Sequence, residues 1–341
     1  MTKLLLSTAV AAILLAGPAS AQSRDTIQIA GSSTVLPFAS IVAEEFGNAF
    51  PDFKAPVVGS GGSGGGLKQF CQGVGENTID IANASRPIKA EEIETCQANG
   101  VAKIQEVRIG YDGIVFATSA DKEDFALTPV MVYKAIAAEV PVDGKMVANP
   151  YKSWKDVDPS LPDQEINVAI PGSNHGTREV FQEKMIAPGC KEAGLPEMEK
   201  EAMTKACETF RQDVVVEISG DYTETLARLQ ANPSTVGVFG LSFYDQNRDT
   251  LKVATVEGVT PSLETVASGE YPVSRPLFFY VKGEHIGTIP GIKEYTEFFL
   301  SDGMTGSGGT LESAGLIPMP DEERAEVLKA FEDGKTLEAA K

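Results

Sequence analysis

Histidine, cysteine and tryptophan are scarce in this chain, which has two, four and one of them respectively among 341 residues. With only His175 and His285, and no Cys-x-x-Cys pair, a zinc site lacks its usual ligands. Basic residues are also in deficit, 29 Lys and Arg against 48 Asp and Glu, for a formal charge of -19. Such a balance excludes nucleic acid as a partner, because phosphate-backbone contacts call for a basic surface. Beyond the first 21 residues no run is long and apolar enough to span a bilayer. Two enzyme signatures are missing as well. The Gly-rich run lacks the Gly-Lys-Ser/Thr ending of a nucleotide loop, and the turn Pro171–Arg178 carries no Gly-x-Ser-x-Gly elbow.

What is present begins with export. Lys3 precedes the apolar run Leu4–Gly17, and Ala19-Ser20-Ala21 forms a small-x-small cleavage site. Residues 1–21 therefore read as a cleaved signal peptide, with an uncleaved anchor as the alternative. An exported chain permits disulfides. Cys71–Cys96 and Cys190–Cys207 are the expected pairs, since each closes a modest local loop.

One sentence structure then repeats along the chain: an apolar strand, a polar turn, an amphipathic helix. Thr26–Ala30 leads into Gly31-Ser32-Ser33-Thr34 and a helical pattern from Phe38 to Ala49. There Ser33 or Thr34 either caps the helix or reaches a ligand. Ala55–Val58 leads into Gly59-Ser60-Gly61-Gly62-Ser63-Gly64-Gly65-Gly66, with the helix expected from Leu67. Gly/Ser composition also suits a flexible linker, but the flanking strand and helix favour a turn whose free N–H groups face an anion. Ile79–Ala84 runs into Ser85-Arg86-Pro87, and Glu165–Ile170 into Pro171–Arg178, which includes His175-Gly176-Thr177. Arginine at such turns can grip an oxyanion with two parallel bonds.

Two long apolar passages, around Arg108–Ala117 and Tyr271–Val281, contain glycine or proline and read as bent strands crossing between two units. The fold class expected is α/β with two lobes, a ligand cleft between them and two crossover strands. Residues 22–110 and 271–341 would form lobe 1 with the C-terminal tail, and 111–270 lobe 2. A helix is expected from Thr128 toward Val140, and Trp154 reads as surface packing after a loop. Ligands in open α/β sheets collect at the carboxyl ends of strands, where these turns lie. Hydroxyl, N–H and guanidinium donors without an aromatic platform suit a tetrahedral oxyanion better than a sugar.

The turns Gly31-Ser32-Ser33-Thr34-Val35, Gly62-Ser63-Gly64-Gly65-Gly66-Leu67-Lys68-Gln69, Ala82-Asn83-Ala84-Ser85-Arg86-Pro87 and His175-Gly176-Thr177, in that order, resemble those of the periplasmic phosphate-binding proteins of phosphate ABC transporters. The resemblance covers essentially the whole mature chain. It implies a type II periplasmic binding fold that closes on inorganic phosphate and delivers it, chemically unchanged, to membrane permease subunits. It also implies no cofactor, no catalysis and a periplasmic location; a monomer is the expected state. The ligand residues carried over are Thr34, Ser63, Gly176 and Thr177, with Ser33, Ser85, Arg86, His175 and Arg178 as neighbouring donors.

Two departures stand out. Family members carry an Asp after the serine that Ser85 matches, where this chain has Arg86. Their Ser-Gly-Thr follows an upstream Arg, whereas here Arg178 comes after Thr177. The missing Asp matters because protonated phosphate needs an acceptor that fully ionised sulfate does not. Asp80, Asp112 and Asp221 are the candidates for that acceptor. Alternative readings are an exported phosphatase, a receptor for another oxyanion such as sulfate, and a surface adhesion or sensing protein.

Overall fold

The computed structural model describes residues 24–173, 175–220 and 222–338; the expected leader over 1–21 lies outside them, as does Asp221. Among the described residues, nine strands form one sheet, eight of them in a continuous path. Strands β1 (Gln28–Gly31), β2 (Val57–Ser60) and β3 (Ile81–Ala84) are short and parallel. Strand β4 (Ile104–Ser119) is 16 residues long. Then come β5 (Asn167–Pro171), β6 (Val215–Ile218), β7 (Thr235–Gly240), β8 (Leu251–Val253) and β9 (Ser274–Lys282). The order is β2-β1-β3-β9-β4-β7-β5-β6, with β8 also against β4.

The two long strands hold the architecture together. Antiparallel β4 and β9 pair from Ile104↔Lys282 to Gly113↔Ser274. Beyond that point β4 pairs with β7, from Ile114↔Gly240 to Ala117↔Gly237. On its other side β9 pairs with β3, through Val281↔Ile81 and Phe278↔Ala84. So one parallel set, β2-β1-β3, and a second, β7-β5-β6, are joined through two antiparallel strands. They contain the two apolar stretches with glycine and proline singled out in the sequence. Burial on both sides of its second half explains why residues 113–117 read as a continuous Gly-Ile-Val-Phe-Ala rather than an alternating pattern.

Helix α1 (Leu36–Ala49) follows the β1 turn and buries Phe38, Val42 and Phe46 at helical spacing. Helix α2 (Gly62–Phe70) corrects the expected boundary, because the glycines lie inside the helix instead of preceding it. The reason is proximity. A Cβ on Gly66 would sit 2.4 Å from the Gly31 Cα and 2.7 Å from the Ala30 carbonyl oxygen, so only glycine lets α2 lie this close on β1. The helix bears the roughly 1 kcal/mol penalty of a glycine at that position. Helix α3 (Ala90–Ala98) is tied to α2 by Cys71–Cys96, around a small core of Leu67, Phe70, Ile88 and Ile93. Cys190–Cys207 closes the second bridge, and both pairs are those that loop length favours.

Two further expectations change. The helix from Thr128 spans Pro129–Ile136 only, and Val140 belongs to a hairpin of Glu139–Val142 with Lys145–Ala148. Its turn, Asp143-Gly144, has positive φ at both residues, the Asp-Gly signature of a two-residue hairpin loop. Trp154 is buried, edge-on to Phe125 with ring centroids 5.4 Å apart. Its acidic neighbours face water while the indole covers the core.

Candidate functional site

The turns at the carboxyl ends of β1, β2 and β3 meet through their hydroxyls. Ser33 Oγ lies 3.2 Å from Ser60 Oγ. Ser63 Oγ lies 3.1 Å from Ser85 Oγ and accepts the Ser85 N–H at 3.0 Å. In the first turn the capping duty falls to Ser32, whose buried Oγ accepts the N–H groups of Thr34 and Val35. Neither Ser33 nor Thr34 caps the helix: Ser33 faces Ser60, and the Thr34 hydroxyl is engaged by Glu179 and Arg275.

The fourth turn follows β5 and starts α4 (Gly176–Phe181). It approaches the first turn closely, since a Cβ on Gly176 would stand 3.0 Å from the Thr34 Cα. The two sets of parallel strands therefore touch through Thr34 and Gly176. Beside them Thr177 Oγ1 is buried without a partner in good hydrogen-bond geometry, next to the Tyr222 hydroxyl. Burial pushes that phenol well above its ordinary range, so it stays a neutral O–H. His175 stacks on the Tyr222 ring, and its Nε2 lies 3.2 Å from the Ser219 carbonyl oxygen.

The two arginines singled out from the sequence are occupied by carboxylates. Arg86 makes a bidentate pair with Glu92, both contacts at 2.8 Å, at the start of α3. It still borders the Gly-rich turn, 3.7 Å from a Cβ placed on Gly64. Arg178 is buried; Nη1 donates to the Pro171 carbonyl, Nη2 donates to Glu217 at 3.2 Å, and the guanidinium lies over the Phe210 ring.

A third arginine, absent from the sequence reading, takes the central position. Arg275 of β9 is buried, and Nη2 donates to Thr34 Oγ1 at 2.8 Å and to Glu179 Oε2 at 3.2 Å. Nη1 donates to Glu183 Oε2 at 3.0 Å. Thr34 Oγ1 in turn donates to Glu179 Oε2 at 2.9 Å. The signal for Arg275 was there to find, a lone cation within the apolar passage Tyr271–Val281. Its register partner is Asp112 of β4, whose Oδ2 is 3.6 Å from Nη2 and otherwise without a hydrogen-bond partner. Burial pushes the Asp112 carboxyl up, Arg275 opposes this, and the nearby Glu179 and Glu183 charges reinforce it.

Asp80 lies elsewhere. It immediately precedes β3, whereas Ser85 follows that strand, so five residues of extended chain put them about 16 Å apart. There Asp80 is fully buried, accepts two bonds from Arg24 at 2.6 and 2.8 Å, and accepts the Gln28 N–H. It is also 2.6 Å from His285 Nδ1. The Gly75 N–H donates to His285 Nε2, which leaves the proton on Nδ1 facing Asp80. Burial alone would raise the Asp80 carboxyl, but His285 and Arg24 outweigh it and hold it below its usual range.

Chemically, the strand ends carry a cluster of hydroxyls and the buried guanidiniums of Arg178 and Arg275, with Thr177 Oγ1 and Asp112 Oδ2 lacking a partner in good hydrogen-bond geometry. Among the described residues no group of three or more His, Cys, Asp or Glu has the arrangement to hold a metal ion. Residues 16–303 match the model of the PBP superfamily domain. The chain is 31% identical to the phosphate-binding protein PstS of Staphylococcus haemolyticus, over 88% of this chain and 83% of that protein. It is 29% identical to protein SphX of Synechococcus elongatus, over 93% of this chain and 84% of that one. Its fold is similar to the crystal structure of a possible phosphate binding protein from Planctomyces limnophilus, with TM-score 0.71, 26% identity, and 92% and 100% of the two chains covered.

Proposed function

The chain belongs to the PBP superfamily and within it to the phosphate-binding proteins, and from that premise we propose that it binds inorganic phosphate outside the inner membrane and hands it to an ABC permease. It is a receptor and not an enzyme, and its ligand leaves unchanged. The observation that carries the reading is the meeting of Thr34 with Gly176, which brings the donor-rich turns of both parallel strand sets to one place. The two sets act as lobes, residues 22–110 with 271–341 and residues 111–270, joined by β4 and β9 and closing over the anion. The periplasm is the location that this role and the leader-like residues 1–21 require, and a monomer suffices for it.

Thr34, Ser63, Gly176 and Thr177 supply the principal contacts, and Ser33, Ser85 and His175 the surrounding polar wall. Arg86 and Arg178 contribute positive potential from behind their carboxylate partners rather than bidentate grips. Asp112 accepts the proton of the bound phosphate, since it is buried beside Thr34's partner Arg275 with an oxygen to spare. A buried acceptor left facing a fully ionised sulfate costs binding, because neither oxygen can donate. Isothermal titration of the mature chain with phosphate and with sulfate tests this. The expected result is stoichiometric phosphate binding with sulfate at least about 100-fold weaker, and Asp112→Asn narrowing that gap. Absence of phosphate heat would end the reading, and turnover of a phosphate ester would replace it with a phosphatase.

A further inference from the structure

We propose that Arg275 is the guanidinium that receives the anion, and that the Glu179 carboxylate occupies the anion's place until it arrives. The inference rests on the phosphate-binding reading above. Three arginines surround the strand ends, and two of them are tied down within their own neighbourhoods, Arg86 to Glu92 and Arg178 to Pro171 and Glu217. Arg275 differs in that its guanidinium bonds the side-chain hydroxyl of a donor turn, Thr34, from a strand outside that turn. It sits on β9, opposite Asp112 of β4, so the strands joining both parallel sets fix its position independently of either turn.

Its present partners are of an unusual kind for a buried cation. The Arg275 side chain is 5% exposed, while those of Glu179 and Glu183 are 55% and 51% exposed. The carboxylates reach in from the surface to a cation that cannot move out to meet them. Glu179 Oε2 accepts from both Thr34 Oγ1 and Arg275 Nη2, at 2.9 and 3.2 Å. A phosphate oxygen would accept from the same two donors with the same charge and a similar bond length. A buried guanidinium left bare would be costly, so a removable internal anion keeps the empty receptor satisfied. Phosphate then binds by exchange, as Glu179 swings back to water and an oxygen of the ligand replaces its own.

Exchange has a measurable signature. Competition by the internal carboxylate lowers the apparent affinity by the fraction of molecules in which it is withdrawn. Replacing Glu179 with glutamine removes the competing charge, and this half-exposed residue can be changed without opening the core. Titration with inorganic phosphate should show Glu179→Gln binding about 3- to 10-fold tighter than wild type, a modest factor because solvent screens the pair. Arg275→Gln should bind about 10- to 100-fold more weakly. Since that change also strips a cation from buried Asp112, the Glu179→Gln titration carries the decision. Loss of an ordinary structural contact would weaken binding, so tightening has no structural explanation. Wild type that binds phosphate while Glu179→Gln binds equally or less well overturns the inference alone. Wild type that binds no phosphate overturns the underlying reading, and this inference with it.

Discussion

The two ends of strand β3 use nearly the same vocabulary for opposite purposes. At its start, Asp80, Arg24, His285 and Lys282 form a buried cluster in which charges and hydrogen-bonding groups answer one another. The Lys282 Nζ donates to the Gly73 carbonyl and to Thr78 Oγ1, and the Arg24 guanidinium also donates to the Thr26, Thr78 and Glu76 carbonyls. At its end Ser85 pairs with Ser63, and in the neighbouring turn Thr34 bonds Arg275 near Asp112, whose buried Oδ2 has only a 3.6 Å contact with that guanidinium. Dense mutual pairing makes the first end a structural clamp, whereas at the second Thr177 Oγ1 and Asp112 Oδ2 lack a partner in good hydrogen-bond geometry. An Asp, an Arg and a His in proximity are therefore no guide to a site until their partners are counted.

The sharpest way to break that contrast is at the structural end. Asp80→Ala leaves Arg24 and the Gln28 N–H without their acceptor, and should cost about 3–5 kcal/mol of stability in denaturant unfolding. Phosphate affinity of the folded fraction should hardly change. Next in size is a pH effect from Lys282, which burial pulls down to about 8, with Asp80 and Glu284 opposing the shift. Between about pH 8 and its ordinary value near 10.5 the unfolded chain then holds more protons than the folded one. Stability from this group should therefore rise with pH across that window, and Lys282→Met should flatten the rise.

At the binding end the order of effects reverses, with affinity moving and stability not. Thr34→Val removes a hydroxyl that both donates and accepts, and should weaken phosphate by about 1.5–3 kcal/mol in calorimetric titration. Ser63→Ala should cost about 1 kcal/mol of binding, since Ser85 Oγ is 3.1 Å away and remains as a donor. A larger loss of folding stability than of affinity in either variant would move that residue to the structural side.

Much of this contrast was legible in the chain, and the remainder failed for identifiable reasons. The strand–turn–helix pattern located Thr34, Ser63, Ser85 and Gly176 at strand ends because a period of two changing to 3.6 marks the switch directly. Loop length alone found both disulfides. The Gly-rich run was placed in the right element but with its helix starting too late. What decides its conformation is a close approach to Gly31, a residue thirty-odd positions earlier. Asp80 was a reasonable acceptor by composition, but strand length puts it at the wrong end of β3. Arg275, Glu179 and Tyr222 escaped notice for a common reason. Each owes its place to register or packing between distant segments, Arg275 to β4 and Glu179 to Thr34, and only Arg275 left a local sign, as a lone cation in an apolar passage.

One comparison tests the account most directly, the rise in melting temperature that saturating inorganic phosphate produces in Thr34→Val and in His285→Gln. Ligand binding to the folded state alone raises stability in proportion to occupancy and affinity. Thr34→Val should melt near wild type without phosphate and lose most of the phosphate-induced rise. His285→Gln should melt lower and keep that rise in full. The opposite pattern, a rise retained in Thr34→Val and lost in His285→Gln, would place the anion at the other end of the strand and contradict the account.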